Sequence, residues 1–455
     1  MKKIYSIACA LLSLFLLSSF TMAEGQLLPS RIDRPYYEYN MLTSPRVAEE
    51  DLSAIDSRRK VLNFSLGLRE EYDDNIRLTS EDEISDTSTI VEPYLRLHWP
   101  HKTSSLSLSY SSNLLFYNDH NPDNRYTHIG DGLAEFNLTS YAAFNLWVHD
   151  VYTLFPRDLR LVDTTRRNAI EGNILEIRPS LKFNFQPAYF EAGYLYQRQD
   201  YVKQDQGVEW KRVGPNFSLG RAITPKWDIA LLYQYIEQDY ERNPDIVSTA
   251  TDYHDNIAGL RLKYRPYDNL SGEIGYNRLW RNFESRNDVQ ENIWEGIITF
   301  ILSSDVTMRA TYLQSFLDDV SGDLYRHDVG EFRVEHRLGK RIELRYGLLA
   351  YKDSFEFSRR KYEAWGTNDA IKISILQRLS LLLQGVYERR TFLNVNDDKT
   401  VDHYYTLGAE LDYIIEGRFS AFIRYSRFEN IADSDESFAG DYSSNRYAAG
   451  VRFTY

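Results

Sequence analysis

The chain has 455 residues, with 66 acidic against 53 basic side chains and a formal net charge of −13. That balance argues against nucleic acid as a partner, because a polyanion is repelled by a surface of its own sign. The single cysteine, Cys9, leaves no disulfide, no Cys-ligated metal centre and no room for a mature thiol nucleophile once the leader around it is removed.

Residues 1–23 read as a signal peptide. Lys2 and Lys3 supply the charged start, Ile7 to Phe20 the apolar run, and Thr21-Met22-Ala23 the small-residue cleavage site. Cys9 sits too early, after Ser6-Ile7-Ala8, to be a lipoprotein cysteine. The chain is therefore expected to be exported. Beyond the leader no apolar run approaches the ~20 residues of a spanning helix. The greasiest, Gly296 to Leu302, is far shorter. Any membrane crossing must then be made by closed strands.

Residues 24–60 form an N-terminal extension with Pro29, Pro35 and Pro45 and an aromatic patch, Tyr36-Tyr37-Glu38-Tyr39. Ser44 and Pro45 suit the cap and first position of a short helix running to about Arg58. Three readings stay open for this extension: a flexible periplasmic leader, a docking segment for a periplasmic partner, or a short lumen plug.

From residue 61 to residue 455 the pattern is strand, tight turn, strand. Aromatic residues are 14% of the chain, with 35 Tyr and 23 Phe, while the mean hydropathy is −0.49. A chain polar on average yet rich in strand formers suits either a soluble sandwich or propeller, or a barrel whose strands are half lumen and half lipid. Short turns recur roughly every 39 residues, at Pro100–Thr103, Thr139–Ala142, Gln186–Ala188, Thr224–Trp227, Arg265–Asn269, Ser303–Asp305, Leu338–Arg341, Gln377–Arg378 and Glu416–Arg418. Between them lie longer stretches rich in Asp, Asn and Ser: Asn118–Asn124, Pro156–Asn173, Asn243–Asp252, Leu317–Asp323, Asn394–Lys399 and Asn430–Asn445. Sorting of short and long connections belongs to outer-membrane barrels and has no cause in a soluble sandwich. The expected fold is all-β: a transmembrane, antiparallel, up-and-down outer-membrane β-barrel of about 20 strands, within 18–20.

Alternation assigns the faces. Ile229, Leu231, Tyr233 and Tyr235 share one, as do Phe419, Ala421, Ile423 and Tyr425. The opposite faces hold Arg261, Lys263, Glu331, Arg333, Glu335, Arg337, Glu343, Arg345, Glu410, Asp412 and Arg452. A Lys or Arg facing lipid near the midplane costs ~2–4 kcal/mol, so these are the candidate lumen-lining residues. Trp99 and Trp227 flank short turns, and Tyr201, Tyr240, Phe283, Phe355 and Phe392 lie toward the long connections; both groups are expected in lipid-interface belts.

His128, His254, His327 and His403 follow long connections, and two of them precede Asp255 and Asp328. An Asp–His pair can activate water, but four similar sites around a ring read as repetition rather than as one centre. No serine stands in a nucleophile motif, and no acidic loop has calcium-ligand spacing. The expectation is no catalytic residue, no metal and no cofactor: the chain is not expected to be an enzyme.

The last stretch, Tyr447 to Tyr455, alternates strictly. It resembles the assembly signal that closes bacterial outer-membrane barrels, with Gly450, Phe453 and Tyr455 in the matching positions. Near the start of the strand region, Arg69, Glu70, Tyr72, Asp73, Asp74 and Asn75 resemble a stretch of a β-barrel porin family whose members include outer-membrane barrels encoded with exopolysaccharide systems of Gram-negative bacteria. The resemblance implies a passive aqueous conduit for exopolysaccharide or capsule export or surface assembly. It implies periplasmic polysaccharide export proteins as partners, beside the barrel-assembly machinery expected from the closing strand and the outer-membrane lipid and lipopolysaccharide expected around any such barrel. The alternative is a general or solute-selective diffusion porin. Physically, Asp-Asp-Asn also ends a strand and opens a turn, since such side chains bond nearby backbone.

Overall fold

The alternation from residue 61 onward folds as one continuous antiparallel meander. A computed structural model describes residues 61–79, 81–120, 124–156, 169–201, 208–241, 250–318, 324–356, 359–393, 399–433 and 441–455. The leader and the N-terminal extension, residues 1–60, lie outside the described residues.

The strands are β1 (Val61–Asp73), β2 (Asp86–His101), β3 (Ser104–Tyr117), β4 (Arg125–Asn137), β5 (Ala142–Pro156), β6 (Ala169–Phe185), β7 (Ala188–Tyr201), β8 (Trp210–Thr224), β9 (Trp227–Tyr240) and β10 (Tyr253–Tyr267). They continue as β11 (Leu270–Phe283), β12 (Val289–Ser303), β13 (Val306–Asp318), β14 (Leu324–Leu338), β15 (Ile342–Phe355), β16 (Lys361–Leu376), β17 (Leu379–Leu393), β18 (Lys399–Glu416), β19 (Phe419–Ala432) and β20 (Tyr442–Thr454). Each pairs with its neighbours in sequence, and β1 pairs with β20 through Ser65↔Thr454 to Asp73↔Arg446. The sheet has no free edge. It is a closed 20-stranded antiparallel barrel, the upper end of the expected strand count.

All nine short connections fall where the turn chemistry placed them. Gly339 and Gly417 hold positive φ of 63° and 31° in two of them, a conformation that costs glycine little and other residues more. Two of the long connections are shorter than expected: β6 starts at Ala169 rather than beyond Asn173, and β19 runs to Ala432 while β20 starts at Tyr442 rather than beyond Asn445. The reason is visible on the outer wall, which continues as paired strand above the apolar band.

That wall has three zones. Leu66, Leu231, Ile298, Leu348, Leu407, Ile423 and Val451 form an exposed apolar band toward the short turns. Rings bound it on both sides. Phe183, Phe190, Phe217 and Tyr233 form a row of near-parallel rings across four strands, at centroid separations of 6.4 to 6.5 Å. Nearer the long connections stand the pairs Tyr425–Tyr447, Tyr387–Tyr405 and Tyr276–Trp294, at 5.2, 5.1 and 4.6 Å. Above these the outward side chains turn polar, with Lys352 2.6 Å from Glu363 and Arg427 3.1 Å from Glu429. An apolar band between aromatic girdles is the lipid boundary of a membrane barrel.

Candidate functional site

The inner wall is the candidate site, and its two ends differ. Toward the short turns it is charged and wet. Arg261 lies 3.0 Å from Glu273 and 3.1 Å from Glu295, and Lys263 lies 3.2 Å from Glu273. Arg424 donates its Nε–H to Glu410 at 2.7 Å, and Arg452 stands 3.5 Å from Asp412 and 3.9 Å from Glu410. Arg333 is 2.6 Å from Glu331. Glu335 sits opposite Arg345, and Arg337 opposite Glu343, across β14 and β15. All eleven charged positions share faces opposite to exposed apolar neighbours such as Leu260, Phe332, Leu348 and Leu407. Cross-strand ion pairs at this exposure each add little to stability. Their effect is to keep the wall hydrated and the long side chains aligned along it.

Toward the long connections the inner wall carries a close-packed collar of rings and arginines, each set against its neighbours along the wall. The Arg281 guanidinium bonds both Asp255 carboxylate oxygens at 2.7 Å and lies 3.8 Å above the Tyr253 ring. Arg390 repeats the arrangement with Glu388 at 2.7 Å and Tyr404 at 4.2 Å. So does Arg446, with Asp73 at 2.9 Å and Phe428 at 4.3 Å. Each guanidinium is neutralised on its edge and covered on its face, the two ways a desolvated arginine is satisfied. Between these units Tyr325 stacks on Phe355 and Tyr362 on Phe392, at 4.9 and 4.8 Å, with Tyr325 and Tyr362 each only 2% exposed.

The collar corrects an expectation. Tyr201, Tyr240, Phe283, Phe355 and Phe392 do not form a lipid belt. Tyr201, Tyr240, Phe355 and Phe392 are buried, and Phe283 packs on Tyr253 at 5.5 Å. Their strand parity shows why. Tyr240 is an odd number of residues from Leu231 and Tyr233, which face lipid, so it must face inward. The girdle residues on the long-connection side, among them Tyr72, Trp294, Trp365 and Tyr447, carry the parity of the apolar band.

The histidines do not assemble into one centre. His128, His254 and His403 face outward, where they lie 2.9 Å from Asp150, 2.9 Å from Asn282 and 3.0 Å from Tyr387. His327 faces inward and pairs with Asp353. Neither histidine pairs with the aspartate that follows it: Asp255 holds Arg281, and Asp328 accepts from Gln314 at 2.7 Å. Adjacent residues of a strand point to opposite faces, which rules those pairs out. Among the described residues no group of three or more His, Cys, Asp or Glu side chains is placed to hold a metal ion.

The motif at the end of β1 has a role that its local reading missed. Asp73 accepts from the Ser444 hydroxyl at 2.7 Å as well as from Arg446. Asp74 accepts from the Asn445 backbone and side-chain N–H groups at 2.6 and 2.8 Å. Asn75 donates to the carbonyls of Thr79 and Ser443 at 2.7 and 2.9 Å and accepts from the Thr79 amide at 3.0 Å. Arg69 turns inward against Glu71 and Glu92. Glu70 and Tyr72 turn outward, and Glu70 accepts from Thr89 at 2.7 Å. Asp73, Asp74 and Asn75 thus tie the first strand to the last at the collar end. At the seam, Gly450 lies against Arg69, and a Cβ there would stand 2.6 Å from the Leu68 carbonyl and 2.7 Å from both Arg69 and Phe422. Phe453 contacts Phe419 and Phe64, at 4.9 and 6.4 Å, and Tyr455 is exposed.

No protein-family model matches the chain, and no curated protein does. Solved outer-membrane receptors are similar in architecture. A point mutant of the ferric enterobactin receptor of Pseudomonas aeruginosa, PfeA, solved with enterobactin, aligns over 87% of this chain and 81% of its own, with 7% identity and a TM-score of 0.48. The siderophore receptor PirA of the same organism aligns over 88% and 82%, with 9% identity and a TM-score of 0.47. The FrpB iron transporter of Neisseria meningitidis aligns over 86% and 81%, with 7% identity and a TM-score of 0.47.

Proposed function

We propose that this barrel is an outer-membrane channel for export or surface assembly of a polysaccharide, with the short turns in the periplasm and the collar outside. The observation that carries the reading is the two-part inner wall. A hydrated, charged lumen opens at the short-turn end and meets a close-packed ring of Tyr, Phe and Arg at the other. Polar, uncharged sugar hydroxyls cross a wet wall with little desolvation cost. At the far end the flat faces of sugar rings meet a wall rich in aromatic side chains. A diffusion porin for small solutes is the alternative reading, and it gives no role to a lining of stacked rings and arginines at one end.

The resemblance of Arg69 to Asn75 to exopolysaccharide-associated barrels supports the same reading. In it, the barrel-assembly machinery reads Gly450, Phe453 and Tyr455. Lipopolysaccharide meets the polar belt above the girdle, and residues 24–60 are the segment available to periplasmic export proteins. The barrel itself is a passive conduit, not an enzyme, and the driving force comes from the periplasm.

The test is a deletion strain assayed for secreted polysaccharide and for small-solute uptake. Loss of secreted polysaccharide with uptake unchanged is expected. Unchanged secretion with reduced uptake would replace this reading with that of a diffusion porin.

A further inference from the structure

We propose that the periplasmic mouth holds a built site for an anionic group, so that the cargo is an acidic glycan bearing carboxylate or phosphate. The inference rests on the export reading only in naming the cargo; the anion site stands on its own geometry. Around the turn between β14 and β15 and the facing end of β16, a cavity of about 270 Å³ is lined by Arg337, Lys340, Arg341 and Lys372, with Ser374 and a single acid, Glu343. Its size falls just below the ~300–1,000 Å³ of ordinary ligand pockets, which suits one sugar unit rather than a length of polymer.

The charge there departs from the rest of the lumen. On the wet wall either side of this cavity cations are matched by acids: Arg261 and Lys263 by Glu273 and Glu295, and Arg424 and Arg452 by Glu410 and Asp412. In the niche Glu343 is flanked by two cations in register, Arg337 on one side and Lys372 on the other, and the turn adds Lys340 and Arg341. Four cations line the niche with one carboxylate and the Ser374 hydroxyl, and a further acid, Asp412, lies on β18 within electrostatic reach of Lys372 while paired with Arg452. Such an excess is a cost to the fold, since like charges repel, and binding an oxyanion would relieve it. Arg supplies paired donors to a carboxylate or phosphate, and Lys a mobile point charge.

The two ends of the barrel are polarised in the same sense. Short turns elsewhere carry Lys102, Lys226, Arg378 and Arg418, while the connection between β1 and β2 carries Glu81, Asp82 and Glu83. An anionic polymer is therefore drawn in at the periplasmic mouth and disfavoured from re-entering at the outer one. The niche residues Arg337, Glu343, Lys372 and Ser374 face the lumen, whereas the neighbouring Leu338 faces out and is exposed, so bilayer headgroups meet the other side of this wall.

The test uses the purified full barrel in detergent, folding being checked by its compact mobility on gels before heating. Binding of tri-galacturonate, maltotriose and inorganic phosphate is measured by calorimetry on wild type, on Arg341→Gln/Lys372→Gln, and on Lys226→Gln as a control outside the niche. The expected result is that tri-galacturonate binds, maltotriose does not, and the double variant binds at least about tenfold more weakly, on the scale of two lost charge-assisted contacts. Competition by phosphate assigns the niche to oxyanions in general; no competition assigns it to uronates. Equal binding of tri-galacturonate and maltotriose, or a double variant indistinguishable from wild type, overturns the proposal. Failure here with secretion lost on deletion removes only the anionic cargo. Success here with secretion intact removes only the export reading.

Discussion

The tie between β1 and β20 can be weighed through Asp73. Its carboxylate accepts from the Ser444 hydroxyl at 2.7 Å, the Arg446 Nε–H at 2.9 Å and the Asn75 amide at 3.0 Å. Asp73→Ala removes all three and leaves Arg446, whose side chain is only 12% exposed, without its carboxylate. Breaking a buried pair by deleting one partner costs ~3–5 kcal/mol. The remaining exposure and the Phe428 ring under the guanidinium place this case near the lower end, at about 3 kcal/mol. The assay is urea unfolding of the barrel in lipid vesicles, followed by tryptophan fluorescence, with Arg446→Met and the double variant completing a cycle. A coupling of about 1–3 kcal/mol between the two sites is expected. If Asp73→Ala unfolds within about 0.5 kcal/mol of wild type, as an ordinary surface substitution would, or if the coupling vanishes, then the carboxylate is not a seam tie and the motif acts only as a local turn.

Four further outcomes follow from the same wall. Gly450→Val drives a side chain into the Leu68 carbonyl and the Phe422 ring, so refolding yield should collapse while Ala449→Val, on the lipid face one residue away, folds normally. Leu231→Arg and Ile423→Arg, at positions 58% and 60% exposed on the apolar band, should each destabilise the vesicle-bound barrel by ~2–4 kcal/mol, as read by urea unfolding. Phe453→Ser/Tyr455→Ser should lower the amount of folded barrel in outer-membrane fractions without changing the binding properties of the protein that does assemble. Glu209, between β7 and β8, has its carboxyl pushed above the usual range by burial, against a hydrogen bond from the Tyr201 amide, with the Asp200 and Glu241 carboxylates adding to the rise. The folded state therefore holds that proton more tightly than the unfolded chain, and stability falls as pH rises through the folded value. Glu209→Gln should narrow the difference in thermal midpoint between about pH 5 and about pH 7.5.

The strands and turns were legible because each depends on neighbours in sequence. Period-two alternation, Gly339 and Gly417 at the turns, and prolines beside several others are local signals, and all nine short connections obey them. The collar was legible in principle, from strand parity. Counting parity from Leu231 or Ile274 along the same strand sends Tyr240 and Phe283 inward, whereas aromatic enrichment near strand ends, on which the belt expectation rests, does not distinguish the two faces. The seam was not legible. The Asx bond from the Asn75 amide to Asp73 spans two residues and follows from residue type, whereas the bond from Ser444 to Asp73 spans 371. Nothing in the alternation of either strand sets which residue of β20 meets Asp73; that register is set only when all the intervening hairpins have closed.

The same distinction decides what in the lumen can be a site. Residues next to each other in sequence, such as His254 and Asp255, are separated by the strand itself and share no chemistry. Residues that meet lie across strands, and Arg281 bonding Asp255 while it covers Tyr253 brings three side chains together from two strands. A barrel therefore builds its inner surface by register, and charge is matched where register sets acid beside base. In the niche around Glu343, register sets Arg337 and Lys372 on the two sides of one carboxylate and the turn adds two more cations. The excess is an outcome of alignment between three strands, and β14 alone, where Glu331, Arg333, Glu335 and Arg337 alternate in sign, does not show it.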